Sequence, residues 1–224
     1  MAHAMRLVSV VMTAYKRANL LVETLRSIRN QVFIGEVIVV EDGYDGGYTE
    51  TVCRAHGAKW ICRKDRPDIP YSNQAVPLNM GIEAATGEII ILQNAECVHV
   101  GKVIAPLVES VAPKTAVFAR CISLNKDGSH GQDYCSTNNP RPFFFCGAFL
   151  KEGFPRFDEG YTGYGYEDED MARQLEQMGY TFLWCDDFVV HHQWHPSLWH
   201  GDKLGAEMEA ANRERYRQKW LQKT

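Results

Sequence analysis

Four consecutive carboxylates, Glu167-Asp168-Glu169-Asp170, follow the alternating run Gly163-Tyr164-Gly165-Tyr166 and lead into an apolar, helix-like stretch. Acids in the first turn of a helix gain roughly 0.3–1 kcal/mol each from its partial positive charge. That accounts for some of the acids but not for four. Adjacent carboxylates raise one another's proton affinity, a cost expected where a site uses a carboxyl group poised to take up a proton. Other side chains able to do chemistry occur as short clusters: Thr13 with Tyr15, Glu41-Asp42-Gly43, Gln93-Asn94-Ala95-Glu96, and the histidines 191, 192 and 195. Carboxylate oxygen and imidazole together can hold a divalent cation, with Mn2+ better suited to imidazole than Mg2+.

These residues must be placed by the elements around them. "RLVSVVMT" is a short β-branched run of the kind that forms a strand buried on both faces. "AYKRANLLVETLRSIRNQ" then shows helical spacing at Leu20, Leu21, Leu25 and Ile28, with Asn19 placed as a cap. "EVIVVEDG" reads as a second strand, "TETVCRAHG" as a helix stopped by Gly57, "AKWICR" as a third strand, and "SNQAVPLNMGIEAATG" as a helix closed by Gly87 before the strand "EIIILQN". Such alternation predicts an α/β fold with a Rossmann-like, mainly parallel sheet flanked by helices, which binds ligands at the carboxyl ends of its strands. Three of the polar clusters fall at those ends and are expected to converge on one cleft. No Gly-x-Gly-x-x-Gly follows the first strand and no P-loop occurs, so a nucleotide bound there would be held by side chains.

The second half changes character. "KTAVFARCISL" reads as a strand, "NKDGSHGQDYCSTNNPRP" as a long polar loop, and "FFFCGAFLKEGFPRFDEG" as an aromatic stretch facing the core. "EDEDMARQLEQMG" reads as a helix, "YTFLWC" and "DFVVHH" as two strand-like pieces, and the tail from Lys203 to Leu221 as a polar helix. The expectation is one domain over residues 5–224: a nucleotide-binding lobe (5–100), an intimately packed lobe that builds the rest of the pocket (101–200), and a C-terminal helix (201–224). Residues 1–4 read as an addition ahead of Met5.

Composition removes several classes. Lys plus Arg 24 against Asp plus Glu 28 gives a net charge of −4, and the cations are scattered except near the C-terminus, so nucleic acid is not expected as a partner. The seven cysteines lack paired metal-ligand spacing and read as buried, reduced thiols of a cytoplasmic protein. No apolar run reaches the ~20 residues of a membrane span.

Taken in order, "VSVVMTAYKR", "VIVVEDGYDGG", "PLNMGIEAATGEIIILQNAE", "FFFCGAF", "GFPRFDEGYTGYGYEDEDMARQLEQMGY" and "VVHHQWHP" resemble an inverting family 2 glycosyltransferase with the GT-A fold. "GYGYEDEDM" is also similar to the Gly-rich Glu-Asp run of β-1,4-galactosyltransferases. The resemblance implies transfer of a sugar from a nucleotide-sugar donor, a UDP-sugar foremost, to a hydroxyl of a glycan or other acceptor. It casts Asp168 as the catalytic base and Glu167 as the holder of acceptor hydroxyls, with Asp170 pointing away along the helix to cap it or orient neighbours, and an exchange of roles with Asp168 as the alternative. Tyr164 and Tyr166 would offer a stacking surface for a sugar ring. Thr13, Tyr15, Asp42, Arg66, Asn79 and Asn94 fall at donor-binding positions. Mn2+ or Mg2+ would be held by Glu96 and His192, with His191 and His195 as alternatives to the latter. Here the chain departs from the family: Asn94-Ala95-Glu96 stands where Asp-x-Asp is usual, which weakens the implied metal site and keeps a non-catalytic nucleotide-sugar or glycan binder as the alternative. A nucleotidyltransferase would carry a glycine-rich loop in place of "TAYKRANL", and a glycoside hydrolase would separate its two carboxylates in sequence.

Overall fold

The computed structural model describes residues 7–32, 34–69, 72–196 and 203–221. Its first half alternates as the sequence predicts: β1 (Val8–Ala14), α1 (Ala18–Ile28), β2 (Ile34–Glu41), α2 (Tyr48–His56), β3 (Lys59–Cys62), α3 (Ala75–Ala84) and β4 (Ile89–Asn94). The strands pair in parallel in the order β3-β2-β1-β4. Chain order therefore reverses between β1 and β4, and the carboxyl ends of that pair form the topological switch point where such sheets bind ligands.

The second half adds β5 (Cys97–Val100), α4 (Ile104–Ser110), β6 (Thr115–Leu124), β7 (His130–Tyr134), β8 (Cys146–Leu150), α5 (Glu167–Gln177), β9 (Thr181–His192) and α6 (Lys203–Leu221). The sheet continues β4-β8-β6-β9-β5, with β7 paired to β6. β1, β2, β3, β4, β6 and β9 run one way, while β8, β5 and β7 run against them. Ala95 and Glu96 alone separate β4 from β5 in the chain, yet the two strands stand four places apart in the sheet. Four flat strand spacings are ~19 Å, whereas three residue steps reach only ~10 Å. The sheet must curl so that its far edge returns to β4, and Glu96 lies at the closure.

Each face of the sheet carries its own core. Val8, Val10, Met12 and Ala14 of β1 pack with Leu21, Leu25 and Ile28 of α1 and Leu107 of α4, while Val11 packs with Ile38, Val40, Leu78 of α3 and Met171 and Leu175 of α5. Two covered faces explain why these strands read as unbroken apolar runs rather than alternating ones.

Local details differ from the sequence reading where tertiary contacts decide. The α1 turn starts from the Arg17 carbonyl, which accepts from the Leu20 and Leu21 N–H groups, and Asn19 lies inside the helix. α3 ends at Ala84, and Gly87 instead packs against β1, where a Cβ would meet the Ser9 amide at 2.7 Å. β7 lies inside the expected loop, and β8 supplies an interior strand from the aromatic stretch. The two expected C-terminal pieces are one strand, β9, whose partners jump from Ala119↔Cys185 to Arg120↔Val189, so the residues between bulge outward.

The contact of α3 with β1 places the start of α3 beside the switch point, and it depends on Gly81. A Cβ there would stand 2.3 Å from Val11 Cγ1 and 3.2 Å from Val40 Cγ2. Alanine is the better helix former by ~1 kcal/mol, but forcing a methyl into a packed contact costs ~1–3 kcal/mol. Gly81→Ala is expected to lower the unfolding free energy in urea; an unchanged or higher midpoint would show that the β1–α3 contact yields without cost.

Candidate active site

Strand register gathers the expected donor residues. Thr13 is the partner of Asn94, Ala14 is the partner of Glu41, and the Asp42 N–H donates to the Ala14 carbonyl at 2.8 Å. Beside this edge lies a cavity of about 410 Å3 lined by Tyr15, Lys16, Arg63, Lys64 and Arg66 among others. The Arg66 guanidinium stacks on the Tyr15 ring with Cζ 3.9 Å from the ring centroid, a contact worth ~0.5–2 kcal/mol. Asp42 is 5% exposed and holds two arginines: Arg63 Nη1 donates to Oδ1 at 3.0 Å, and Arg66 Nε lies 3.5 Å from Oδ2. Asp42 thus fixes both arginines at the cavity wall, and the terminal nitrogens of Arg66 donate to the carbonyls of Pro67 (3.0 Å) and Ile69 (2.9 Å). Gly43, at φ +102°, leaves room for this packing, since a Cβ there would stand 2.5 Å from Arg66 Cδ.

Asn79 is the exception among the donor candidates. It is 2% exposed, its amide nitrogen donates to the Phe157 carbonyl (2.9 Å) and Glu159 Oε1 (2.7 Å), and its oxygen accepts the Phe157 N–H at 2.9 Å. Its hydrogen-bonding capacity fastens α3 to the chain before the acid run and presents nothing to a donor.

Two dipeptides tie the acids to the strand ends. Asn73 Nδ2 donates to Glu167 Oε2 at 3.0 Å and to the Gly163 carbonyl at 3.2 Å, while Asn73 Oδ1 accepts the Ala75 N–H in a turn ahead of α3. The next residue, Gln74, accepts from the Thr13 hydroxyl at 2.8 Å. On the other side the Phe144 backbone lies beside Asp168 and counters part of its upward shift, and the Phe145 carbonyl accepts the Asn94 N–H at 3.2 Å. Glu167 and Asp168 are thereby held at the carboxyl ends of β1 and β4. Burial raises the Glu167 carboxyl from 4.5 to about 7, with the Glu169 charge adding to the shift. Burial, then the Glu167 and Glu169 charges, push Asp168 well above the ordinary aspartate range.

The last acid of the run goes elsewhere. Asp170 is fully buried and accepts from the Tyr161 hydroxyl (3.0 Å), Gln174 Nε2 (2.8 Å), Lys219 Nζ (2.8 Å) and Trp220 Nε1 (2.9 Å). An exchange of roles between Asp170 and Asp168 does not fit this placement.

Glu96 and His192 do come together, since Cys97 pairs with His192 where β5 meets β9. The Glu96 carboxylate, however, is engaged by Arg17, whose Nε donates to Oε1 at 2.8 Å, and Arg17 Nη2 lies 3.2 Å from His195 Nδ1. His195 Nε2 is 4.0 Å from Glu96 Oε1, and the His192 and His195 ring centroids are 5.3 Å apart. His191 packs instead on His130, with centroids at 5.0 Å. Among the described residues no group of three or more His, Cys, Asp or Glu side chains is arranged to hold a metal. One carboxylate bound to a guanidinium does not make a ready site, so the donor set as folded does not fit a resident ion.

Sequence reasoning missed Arg17, Asn73 and Gln74. Asn73 was legible as a turn residue before a helix, but its second bond, to a carboxylate 94 positions away, leaves no local signal.

The sequence profile of Glycosyl transferase family 2 matches residues 9–167. A curated relative, the uncharacterized glycosyltransferase YfnE of Bacillus subtilis (strain 168), is 51% identical over 41 residues, which are 18% of this chain and 10% of that protein. The fold is shared with the crystal structure of GalNAc-T7 with UDP, GalNAc and Mn2+ (TM-score 0.74, 17% identity, 96% of this chain and 48% of that one). It is also shared with the mannosyltransferase PcManGT from Pyrobaculum calidifontis in complex with GDP-Man and Mn2+ (TM-score 0.62, 21% identity, 82% of this chain and 56% of that one). The chain thus spans about half the length of these solved structures, and both neighbours are GT-A glycosyltransferases.

The raised Glu167 value has a definite consequence for stability. Folding favours the protonated carboxyl, so this contribution is fully present below 4.5 and is lost as pH rises through about 7. Asp168, shifted the same way, adds to the trend. Glu167→Gln removes the titration, and its stability relative to wild type in urea is expected to rise between pH 5 and pH 8. A difference that stays constant across that range would contradict the raised proton affinity of Glu167.

Proposed function

The chain belongs to Glycosyl transferase family 2, and on that premise we propose that it is an inverting glycosyltransferase moving a sugar from a nucleoside-diphosphate sugar to a hydroxyl of a glycan or similar acceptor. The observation that carries the reading is the double bridge, Thr13–Gln74 with Asn73–Glu167, which joins a cation-lined cavity to a carboxylate pair of raised proton affinity. Residues 5–100 take the donor and residues 101–200 build the acceptor side. Inversion needs a base on the acceptor hydroxyl while the nucleoside diphosphate departs from the opposite side.

In this reading Asp168 takes the hydroxyl proton, and its upward shift makes its carboxylate a stronger proton acceptor than an ordinary aspartate while requiring a higher pH to ionise it. Glu167, steadied by Asn73, orients the acceptor hydroxyls, and Tyr164, which is 42% exposed, offers its ring to a sugar face. Tyr15 and the cations fixed by Asp42 receive the nucleotide, with uridine as the expected base, and Thr13 and Asn94 line the strand ends next to it. Arg17 stands at the β4–β5 closure, where it neutralises Glu96. A divalent ion enters only if it displaces Arg17 from Glu96 and takes His192 as a second ligand; no step here runs through it. The Arg17–Glu96 pair is also the observation that favours the second reading, a nucleotide-sugar binder without catalysis. No helix among the described residues is long and apolar enough to cross a membrane.

Asp168→Asn should decide between the two readings. A positioned base contributes ~10²–10⁴-fold, so transfer from a panel of UDP- and GDP-sugars, followed by nucleotide release, should fall by that factor while calorimetric nucleotide binding persists. Activity within a few-fold of wild type would remove Asp168 as the base, and a wild type that binds nucleotide but transfers nothing would favour the binder. The metal question has its own test. If Glu96 is a potential ligand restrained by Arg17, Arg17→Ala should tighten Mn2+ in calorimetry without substrate, and Glu96→Gln in that background should abolish the gain. Equal Mn2+ affinity in wild type and Arg17→Ala would remove Glu96 as a ligand.

A further inference from the structure

The backbone leading into the carboxylate pair follows a path that is costly to hold. Gly163 (φ +73°), Gly165 (φ +82°) and Tyr166 (φ +74°) all lie in the left-handed region. Glycine adopts it freely, but a tyrosine there costs ~1–3 kcal/mol and persists only where its surroundings over-determine it. Those surroundings belong to α6. Asn212, 3% exposed, commits its whole amide to this run. Its Nδ2 donates to the carbonyls of Thr162 (2.9 Å), Tyr164 (3.0 Å) and Gly165 (3.1 Å), and its Oδ1 accepts the Thr162 N–H at 3.2 Å. Two hydrogens serve three carbonyls, so at least one is shared, and no donor capacity remains for another partner. Arg213 Nε donates to the Tyr166 hydroxyl at 2.8 Å. Gly163 closes against Met208, where a Cβ would stand 2.5 Å from the sulfur.

We infer that Asn212 is a positioning residue for the Glu167-Asp168 pair: by fixing the backbone of residues 162–166 from outside, it sets where α5 starts and therefore where the base stands. The catalytic consequence rests on the function proposed above, whereas the latch itself does not. A second attachment makes the role separable from simple docking of the helix. Lys219 and Trp220, two turns further along α6, are bonded to Asp170, and Lys219 and Arg215 also reach Asp158. Loss of the Asn212 amide leaves these contacts in place, so α6 stays bound while the run ahead of Glu167 loosens.

The test uses the full chain with two substitutions, Asn212→Ala and Asn212→Asp, read by donor kinetics, thermal unfolding and amide hydrogen exchange. Asn212→Ala should lower kcat by about ten- to a hundred-fold, the scale expected when a reacting group is displaced by an ångström or less. The donor KM should change little, because the donor side is held by other elements, and exchange over residues 162–169 should accelerate. Asn212→Asp keeps the shape but sets a carboxylate against three carbonyl oxygens, so it should be at least as impaired as alanine; a role in packing alone would leave it near wild type. Wild-type kcat in Asn212→Asp, or unchanged exchange over residues 162–169 in Asn212→Ala, overturns the inference. If the wild-type chain transfers no sugar, the functional reading fails, and the exchange result still decides the latch by itself. Should Asn212→Ala fail to fold, Arg213→Ala removes the bond to Tyr166, together with an ion pair to Glu209 within α6, and is expected to lower kcat and speed exchange in the same direction. Unchanged kcat and exchange in that variant overturn the inference.

Discussion

A buried carboxylate organises the second half of the molecule. Asp170 lies out of water, where an ionised group without partners would cost several kcal/mol, and it accepts hydrogen bonds from Tyr161, Gln174, Lys219 and Trp220. These partners come from the segment before α5, from α5 itself and from α6. Satisfying one acid therefore fixes three parts of the chain relative to one another. The neighbours Glu167 and Asp168, one turn nearer the helix start, are left without such compensation, and their proton affinities rise. Of four similar residues in sequence, Asp170 thus becomes a structural anchor, while Glu167, Asp168 and Glu169 keep raised proton affinities.

The Glu167-Asp168 pair is linked to the sheet. The reversal of strand order between β1 and β4 opens a crevice at their carboxyl ends, and Asn73-Gln74 and Phe144-Phe145 each reach from that crevice to the acids. The first dipeptide depends on α3 lying against β1, which Gly81 permits. The second depends on β8 inserting beside β4. The site is a joint property of both halves of the chain.

The closure of the curled sheet introduces a different electrostatic solution from the one a two-aspartate motif would provide. With Asn94 in the first position, only Glu96 brings a negative charge to the β4–β5 turn, and a single guanidinium, Arg17, is enough to neutralise it. The same fold in GalNAc-T7 and PcManGT is seen with Mn2+. In this chain the corresponding charge balance is met by a side chain already present at the start of α1.

The alternation of buried strands and amphipathic helices, the position of α6 from Lys203 to Leu221, and the placing of Thr13, Asp42, Asn94 and the acid run at element ends were all legible in the sequence. They depend on local periodicity and on residues that start or stop elements. β7, the insertion of β8 and the continuity of β9 were not legible, because strand pairing is chosen by partners far away in the chain. The fates of individual polar side chains were hidden for the same reason. Asn79 looked like a donor contact and is a buried tether, Asp170 was expected to point away from the site but its partners on α6 were not legible, and Asn73, Arg17 and Asn212 carried no local mark of their roles. A sequence states which groups can hydrogen-bond or ionise; only the tertiary structure decides which of them are already satisfied, and the groups left unsatisfied are the ones available to a substrate.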